Sequence, residues 1–195
     1  MNVWVFAEER TGSSWLSLEI SKRLNLKYGY VESLISTYDT VIHTHNFQLL
    51  KDDIKDIVIC TTRKNVFEHM LSYIFLYRTK ITNPEFYNDP HIYYGNFKMS
   101  YDFQKMIEHM KIEIDKKEIL DFINLKKERI QLLNEYKPNY IIYYEDLYKG
   151  ISIPELGLNN IKFSDGGIME KLPYDKRKIF VNWQQAENWL KEYYE

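Results

Sequence analysis

The period of apolar and polar positions changes from block to block along this chain. Residues 2–7 (NVWVFA) form a β-branched and aromatic run that predicts a strand. After a polar turn at 8–14, Leu16, Ile20 and Leu24 recur every four residues, which predicts an amphipathic helix over 15–26. Residues 40–45 (TVIHTH) and 56–61 (DIVICT) predict two further strands with a short helical piece between them. Val66, Met70, Tyr73 and Tyr77 share one face of a helix over 65–77. Strands that alternate with helices pair in parallel through βαβ units, so the expected class is α/β.

The pattern loosens after this. Residues 79–100 have no clean period, two prolines and several aromatics, and are expected to be a long irregular segment that acts as a lid or pocket wall. Two helices are expected over 102–136, the first carrying Met106, Ile107, Met110 and Ile114 at helical spacing. Residues 139–143 (NYIIY) predict a strand that runs into Tyr144-Glu145-Asp146-Leu147. A polar, basic stretch over 166–178 precedes an expected terminal helix over 182–194. With 195 residues and no repeat, low-complexity tract or clear linker, a single domain over 1–195 is expected.

Composition narrows the function classes. Hydrophobic residues are 45% and charged residues 28%, ordinary for a soluble globular chain. The formal charge of −2, from 26 basic and 28 acidic residues, gives no sign of a nucleic-acid partner, although a local cationic pocket is compatible with it. The 17 tyrosines fit an aromatic acceptor pocket and fit biased coding equally well. Cys60 lies inside an apolar run and is expected to be buried and inert; one cysteine excludes an internal disulfide and suits a reducing compartment. Residues 1–7 are too short for a signal-peptide core and no run approaches the ~20 apolar residues that span a bilayer, so the cytoplasm is the expected compartment, with no membrane partner. No His/Cys/Asp cluster has metal-ligand spacing, so no metal is expected. The pattern carries no signal for oligomeric state.

The strongest local chemistry is Arg10-Thr11-Gly12-Ser13-Ser14-Trp15-Leu16, between the first strand and the first helix. A helix N-terminus offers backbone N–H groups and the positive end of its dipole to an anion. Gly12 would let an anion approach the backbone, Thr11, Ser13 and Ser14 add hydroxyls, and Arg10 adds a permanent cation able to grip oxyanions. A Ser N-cap in an ordinary βα turn has the same residues. The Walker A pattern is absent, because it requires a second glycine and a lysine. A second feature is Arg63, at the end of the strand over 57–62, followed by Ser72 on the next helix; strand C-termini of α/β sheets are where ligands bind.

In the order of these residues the chain resembles the PAPS-dependent sulfotransferases. In that family a basic residue, Ser/Thr, Gly, two Ser/Thr and often Trp follow the first strand. The resemblance implies a three-layer, P-loop-NTPase-like fold with a central parallel sheet flanked by helices. It implies transfer of a sulfuryl group from 3′-phosphoadenosine 5′-phosphosulfate (PAPS) to a hydroxyl or amine acceptor by in-line displacement, with release of PAP. By the same resemblance, Arg10, Thr11, Gly12, Ser13 and Ser14 bind the 5′-phosphate and sulfate side, and Arg10 neutralises the bridging oxygen as the group leaves. Trp15 packs near the adenine, and Tyr144 of Tyr143-Tyr144-Glu145-Asp146-Leu147 edges its pocket. Arg63 and Ser72 bind the 3′-phosphate, with the spacing of bacterial and carbohydrate-type members. Arg177 and Lys178, ahead of Asn182-Trp183, stand where the family has a basic loop over that phosphate, but without its glycines.

An acceptor hydroxyl must lose a proton, so a base is needed. Thr44-His45 resembles the family's strand-end pair whose His is the base, and imidazole titrates near neutrality. Glu8 and Glu9 are carboxylate alternatives. His43 shares a sheet face with His45 and falls where phenol-type members carry a catalytic Lys. Small-molecule, carbohydrate and peptide acceptors are all compatible, with Tyr87, Tyr93, Tyr94, Phe97 and Tyr101 as candidate pocket walls. Two other readings share the same opening: a divergent P-loop kinase, and a nucleotide-binding module that keeps the donor pocket without turnover.

Overall fold

A computed structural model describes residues 1–9, 11–30, 39–51, 57–82, 108–163 and 175–194, with 79–82 described by backbone alone. The chain divides into two compact units, Met1–Lys64 with Glu128–Asp165, and Asn65–Lys127 with Gly166–Glu195.

The first unit is built on a five-stranded parallel sheet in the order β2-β3-β1-β4-β5. Its strands are β1 (Val3–Ala7), β2 (Lys27–Tyr30), β3 (Thr40–Thr44), β4 (Ile57–Thr62) and β5 (Tyr140–Tyr143). β1 is buried at all five positions, as its unbroken apolar run requires of a central strand covered on both faces. Helix α1 (Ser13–Leu24) covers the face that carries Val5 and His43, and buries Leu16 and Ile20. The opposite face carries Trp4, Phe6, Ile42, Val58 and Cys60 and packs against Phe47, Leu50 and Leu132, the last on the final turns of α3 (Lys116–Tyr136). The chain is therefore an α/β protein whose central parallel sheet is flanked by helices.

α1 ends where Asn25 turns left-handed (φ 53°), with Leu26 N–H donating to Ser21 O and Asn25 N–H to Lys22 O. This stop returns the chain to β2, which the pattern did not predict. The exposed Lys-Tyr-Gly-Tyr of β2 is an edge strand without an apolar run. A small antiparallel pair, β6 (Ile151–Ile153) and β7 (Leu158–Ile161), was likewise not predicted.

The second unit contains α2 (Val66–Thr82), the first part of α3, α4 (Lys176–Ile179) and α5 (Trp183–Tyr194). Its core joins Met70, Leu71 and Ile74 of α2 to Ile119, Phe122 and Ile123 of α3, and to Phe180, Ala186 and Leu190. α2 continues five residues past its predicted end, to Thr82, into the stretch expected to be irregular; residues 83–100 lie outside the described ones.

The helix expected to carry Met106, Ile107, Met110 and Ile114 needs correction where it is described. Residues 102–107 lie outside the described ones, a helical assignment covers only 108–109, and 110–114 is extended. Ile112 forms a parallel bridge to Phe180, accepting from Val181 N–H and donating to Ile179 O, both at 2.9 Å. Asn182 clamps the backbone of Ile114 from both sides, Oδ1 accepting from its N–H at 2.9 Å and Nδ2 donating to its carbonyl at 2.8 Å. Ile112 and Ile114 are buried while Lys111 and Glu113 are exposed, a period of two that the fourfold spacing of the apolar residues concealed.

Asn182→Ala is expected to lower stability by roughly 1–3 kcal/mol, because it strands a donor and an acceptor on buried Ile114. Urea unfolding followed by circular dichroism checks this against Asn159→Ala, whose side chain is exposed.

Candidate functional site

In the sheet order, the connection leaving β1 leads to one side of the sheet and the one leaving β4 to the other. Parallel sheets bind ligands at such a reversal, beyond the strand C-termini. Here those ends carry Glu8, Glu9 and the turn to α1, then His45, then Arg63, then Tyr144. Arg10 lies outside the described residues.

The turn is tied down from below. Thr11 Oγ1 donates to Glu8 O at 2.7 Å and lies 2.7 Å from Thr61 Oγ1, so this hydroxyl faces the sheet and is buried. Thr62 Oγ1 donates to the buried Glu8 carboxylate. Gly12 has φ 71°, and the place where a Cβ would stand is taken by Phe163 Cζ at 2.8 Å, Tyr144 Cδ2 at 3.1 Å and Leu147 Cδ1 at 3.3 Å. Side chains of this protein therefore fill the space the glycine leaves. α1 starts without a side-chain cap, and the first N–H groups of a helix have no intrahelical acceptor. Ser13 is buried and Ser14 half-buried.

The histidines stand at the end of β3. His45 Nδ1 donates to Ala7 O at 2.5 Å, which leaves Nε2 as the acceptor nitrogen of a neutral ring. Nε2 has no hydrogen bond among the described residues. His43, 5.0 Å away between ring centroids, is buried, with Nε2 3.0 Å from Ser13 Oγ and Nδ1 3.3 Å from the Tyr28 hydroxyl. Burial, with His45 beside it, pushes the His43 imidazole down to about 3, so it is neutral across the working range. Burial, with Tyr30 nearby, raises the Tyr28 phenol above its ordinary value. Tyr30 lies 5.3 Å from His43 and 5.9 Å from His45.

Glu9 receives both guanidinium nitrogens of buried Arg129, at 2.6 and 3.0 Å. Burial alone would raise the Glu9 carboxyl, but hydrogen bonding and charge from Arg129, with a smaller contribution from His45, hold it below its ordinary value.

Arg63 leaves β4 with its guanidinium 4.2 Å over the Tyr144 ring and Nε 4.0 Å from Glu145. Lys64 is bound alongside, its N–H to Glu145 and its ammonium to Asp146 at 2.7 Å. Tyr144 belongs to an aromatic group that the sequence reading found only in part. Phe163 lies 4.4 Å from Trp15, 5.7 Å from Tyr144 and 5.0 Å from Tyr148, and the Tyr144 and Tyr148 hydroxyls are 2.8 Å apart. Burial and the Tyr144 hydroxyl raise the Tyr148 phenol. Phe163 and Tyr148 carried no sequence signal; backbone pairing of Phe163 N–H with Leu147 O brings Phe163 to the turn.

The other expected residues stand in the second unit. Ser72 Oγ donates to Glu68 O at 2.8 Å and accepts from Lys176 Nζ at 2.6 Å. Arg177 pairs with Glu68 at 2.8 Å and lies 5.5 Å from the Trp183 ring. Lys178 is exposed, and its carbonyl accepts from Lys111. Lys176 is the first residue of the basic run Lys176-Arg177-Lys178, whereas Glu68 was not singled out in the sequence. Among the described residues no three His, Cys, Asp or Glu side chains gather as a metal site requires, and no helix is long and apolar enough to cross a membrane. Tyr87, Tyr93, Tyr94, Phe97 and Tyr101 lie outside the described residues. No protein-family model, curated protein or solved structure matches the chain.

Gly12→Ala is expected to destabilise the protein by roughly 1–3 kcal/mol, through the left-handed backbone and the contact with Phe163. Thermal unfolding checks this, and Phe163→Ala should make the glycine substitution less costly. Glu9→Gln, which removes the carboxylate charge that receives both guanidinium nitrogens of Arg129, is expected to cost roughly 1–3 kcal/mol at pH 7. Because the folded carboxyl is depressed, its contribution is complete above 4.5, the ordinary value, and is lost as pH falls through the lower folded value. Urea midpoints of the two proteins should therefore converge in acid.

Proposed function

We propose that this chain is a sulfotransferase that uses PAPS as donor, with a P-loop-type sulfotransferase fold and His45 as the base. The observation that carries the reading is the strand-end placement of His45. Its Nδ1 proton is held by the Ala7 carbonyl and Nε2 is left as the acceptor, at the same sheet edge as the Thr11–Trp15 turn and Arg63. In this reading an acceptor hydroxyl gives its proton to His45 Nε2 as its oxygen bonds to sulfur. The bond from sulfur to the bridging oxygen of the donor breaks in line, and PAP leaves. Positioning and charge stabilisation do most of the work in such displacements.

The residues fit an anionic donor in part. The α1 N-terminus, Ser13, Ser14 and Arg63 supply donors, and Arg10 is assigned its role from the sequence resemblance alone. The Thr11 hydroxyl is already satisfied by Glu8 and Thr61, so Thr11 serves the turn's shape. Trp15, Tyr144 and Phe163 offer aromatic faces for a purine. Ser72, Arg177 and Lys178 belong to the second unit, and their assignment to the 3′-phosphate rests on the sequence resemblance alone. The expected compartment is the cytoplasm, with a small-molecule or carbohydrate acceptor.

Calorimetry with PAP should detect binding to the wild type, weakened about 10- to 100-fold in Arg63→Gln by the loss of charge-assisted hydrogen bonds. With ³⁵S-labelled PAPS and a panel of phenols and sugars, His45→Ala should lose at least about 100-fold in turnover and keep its PAP affinity. A full rate in His45→Ala would remove His45 as the base. No PAP binding by the wild type would end the reading, and Mg²⁺-dependent ATP binding in its place would favour a kinase.

A further inference from the structure

We propose that His43 is a positioning residue that, through the chain Tyr28–His43–Ser13, makes the Ser13 hydroxyl a hydrogen-bond donor directed into the β1–α1 turn. The inference rests on the reading of that turn as the holder of an anionic donor, and adds to it a residue that orients without carrying charge.

A neutral imidazole has one donor and one acceptor nitrogen, and both nitrogens of His43 are engaged. Nε2 lies 3.0 Å from Ser13 Oγ and Nδ1 lies 3.3 Å from the Tyr28 hydroxyl. The chain therefore runs in one of two directions. If Tyr28 donates to Nδ1, then Nε2–H donates to Ser13 Oγ, and the Ser13 hydrogen is released from this pairing. If the order is reversed, Ser13 spends its hydrogen on the ring and turns lone pairs toward the turn.

Two features favour the first direction, on a ring that stays neutral. The phenol keeps its proton, since burial and Tyr30 raise it, and a phenol is a better donor than acceptor to a basic nitrogen. The ring stays neutral, since it is buried beside His45 and close to the positive end of α1. Ser13 is the first residue of α1, so its released hydrogen joins the helix N–H groups as donors of one sense. An anion oxygen is the acceptor that this arrangement suits.

Long-range ¹H–¹⁵N correlation on histidine-labelled protein reads the direction without any ligand. The His43 signal, assigned by its loss in His43→Asn, should show the Nε2–H tautomer, unchanged between pH 5 and 8. The Nδ1–H tautomer would overturn the proposal, because it is the order of a serine nucleophile resting on its base. Calorimetry with PAP supplies the second arm. Tyr28→Phe and Ser13→Ala should each weaken binding about twofold to tenfold, and the double variant should bind like Ser13→Ala alone. Losses that simply multiply would also overturn the chain. If the wild type bound no PAP, the sulfotransferase reading would fall, and the tautomer would decide the direction of the chain by itself.

Discussion

Polar groups brought to the end of a buried parallel sheet must find partners, and the site of this protein is organised by how they do so. The turn after β1 carries two carboxylates and a threonine into the protein. Thr62 takes Glu8, Arg129 takes Glu9, and Thr61 with the Glu8 carbonyl takes Thr11. The last carbonyl of β1 takes the proton of His45. These bonds come from β3, β4 and α3, so the turn cannot shift without breaking pairings to three elements. The same bonds fix which nitrogen of His45 is left as the acceptor.

Burial separates the two histidines of one strand. His43 is enclosed between α1 and the β2 edge, so it is kept uncharged and spends both nitrogens on neighbours. His45, two residues later, has passed the end of the strand and is half-buried. One ring is locked between two neighbours and the other, among the described residues, hydrogen-bonds only one, although their sequence context is nearly the same.

The elements legible in the sequence were those whose burial is simple. β1, β3 and β4 are buried on both faces along short β-branched runs, and α1 has a clean fourfold repeat. β2 was missed because an edge strand needs little apolar surface, and β6 and β7 because three or four residues hold no period. The stretch 110–114 misled because apolar residues spaced by four also satisfy a period of two, and only Phe180 and Asn182, some seventy positions on, select the extended form. At the site, His45 and Arg63 were legible as strand-end residues. Phe163 was not, since nothing local marks it and its contact with Gly12 exists only after β7 is in place. Arg177 was read as a basic loop residue, but a carboxylate far earlier in the sequence, Glu68, pairs with its charge.

The first compact unit is discontinuous, with residues 65–127 leaving it before β5 returns. During synthesis β4 emerges with β1 and β3 already available on one side, while its other edge waits for Tyr140–Tyr143, more than seventy residues behind. An apolar strand of six residues with an open row of backbone groups is a template for pairing with other chains. The nascent protein thus has an interval of vulnerability set by ribosome speed, and a chain truncated before residue 140 would carry that sticky border permanently.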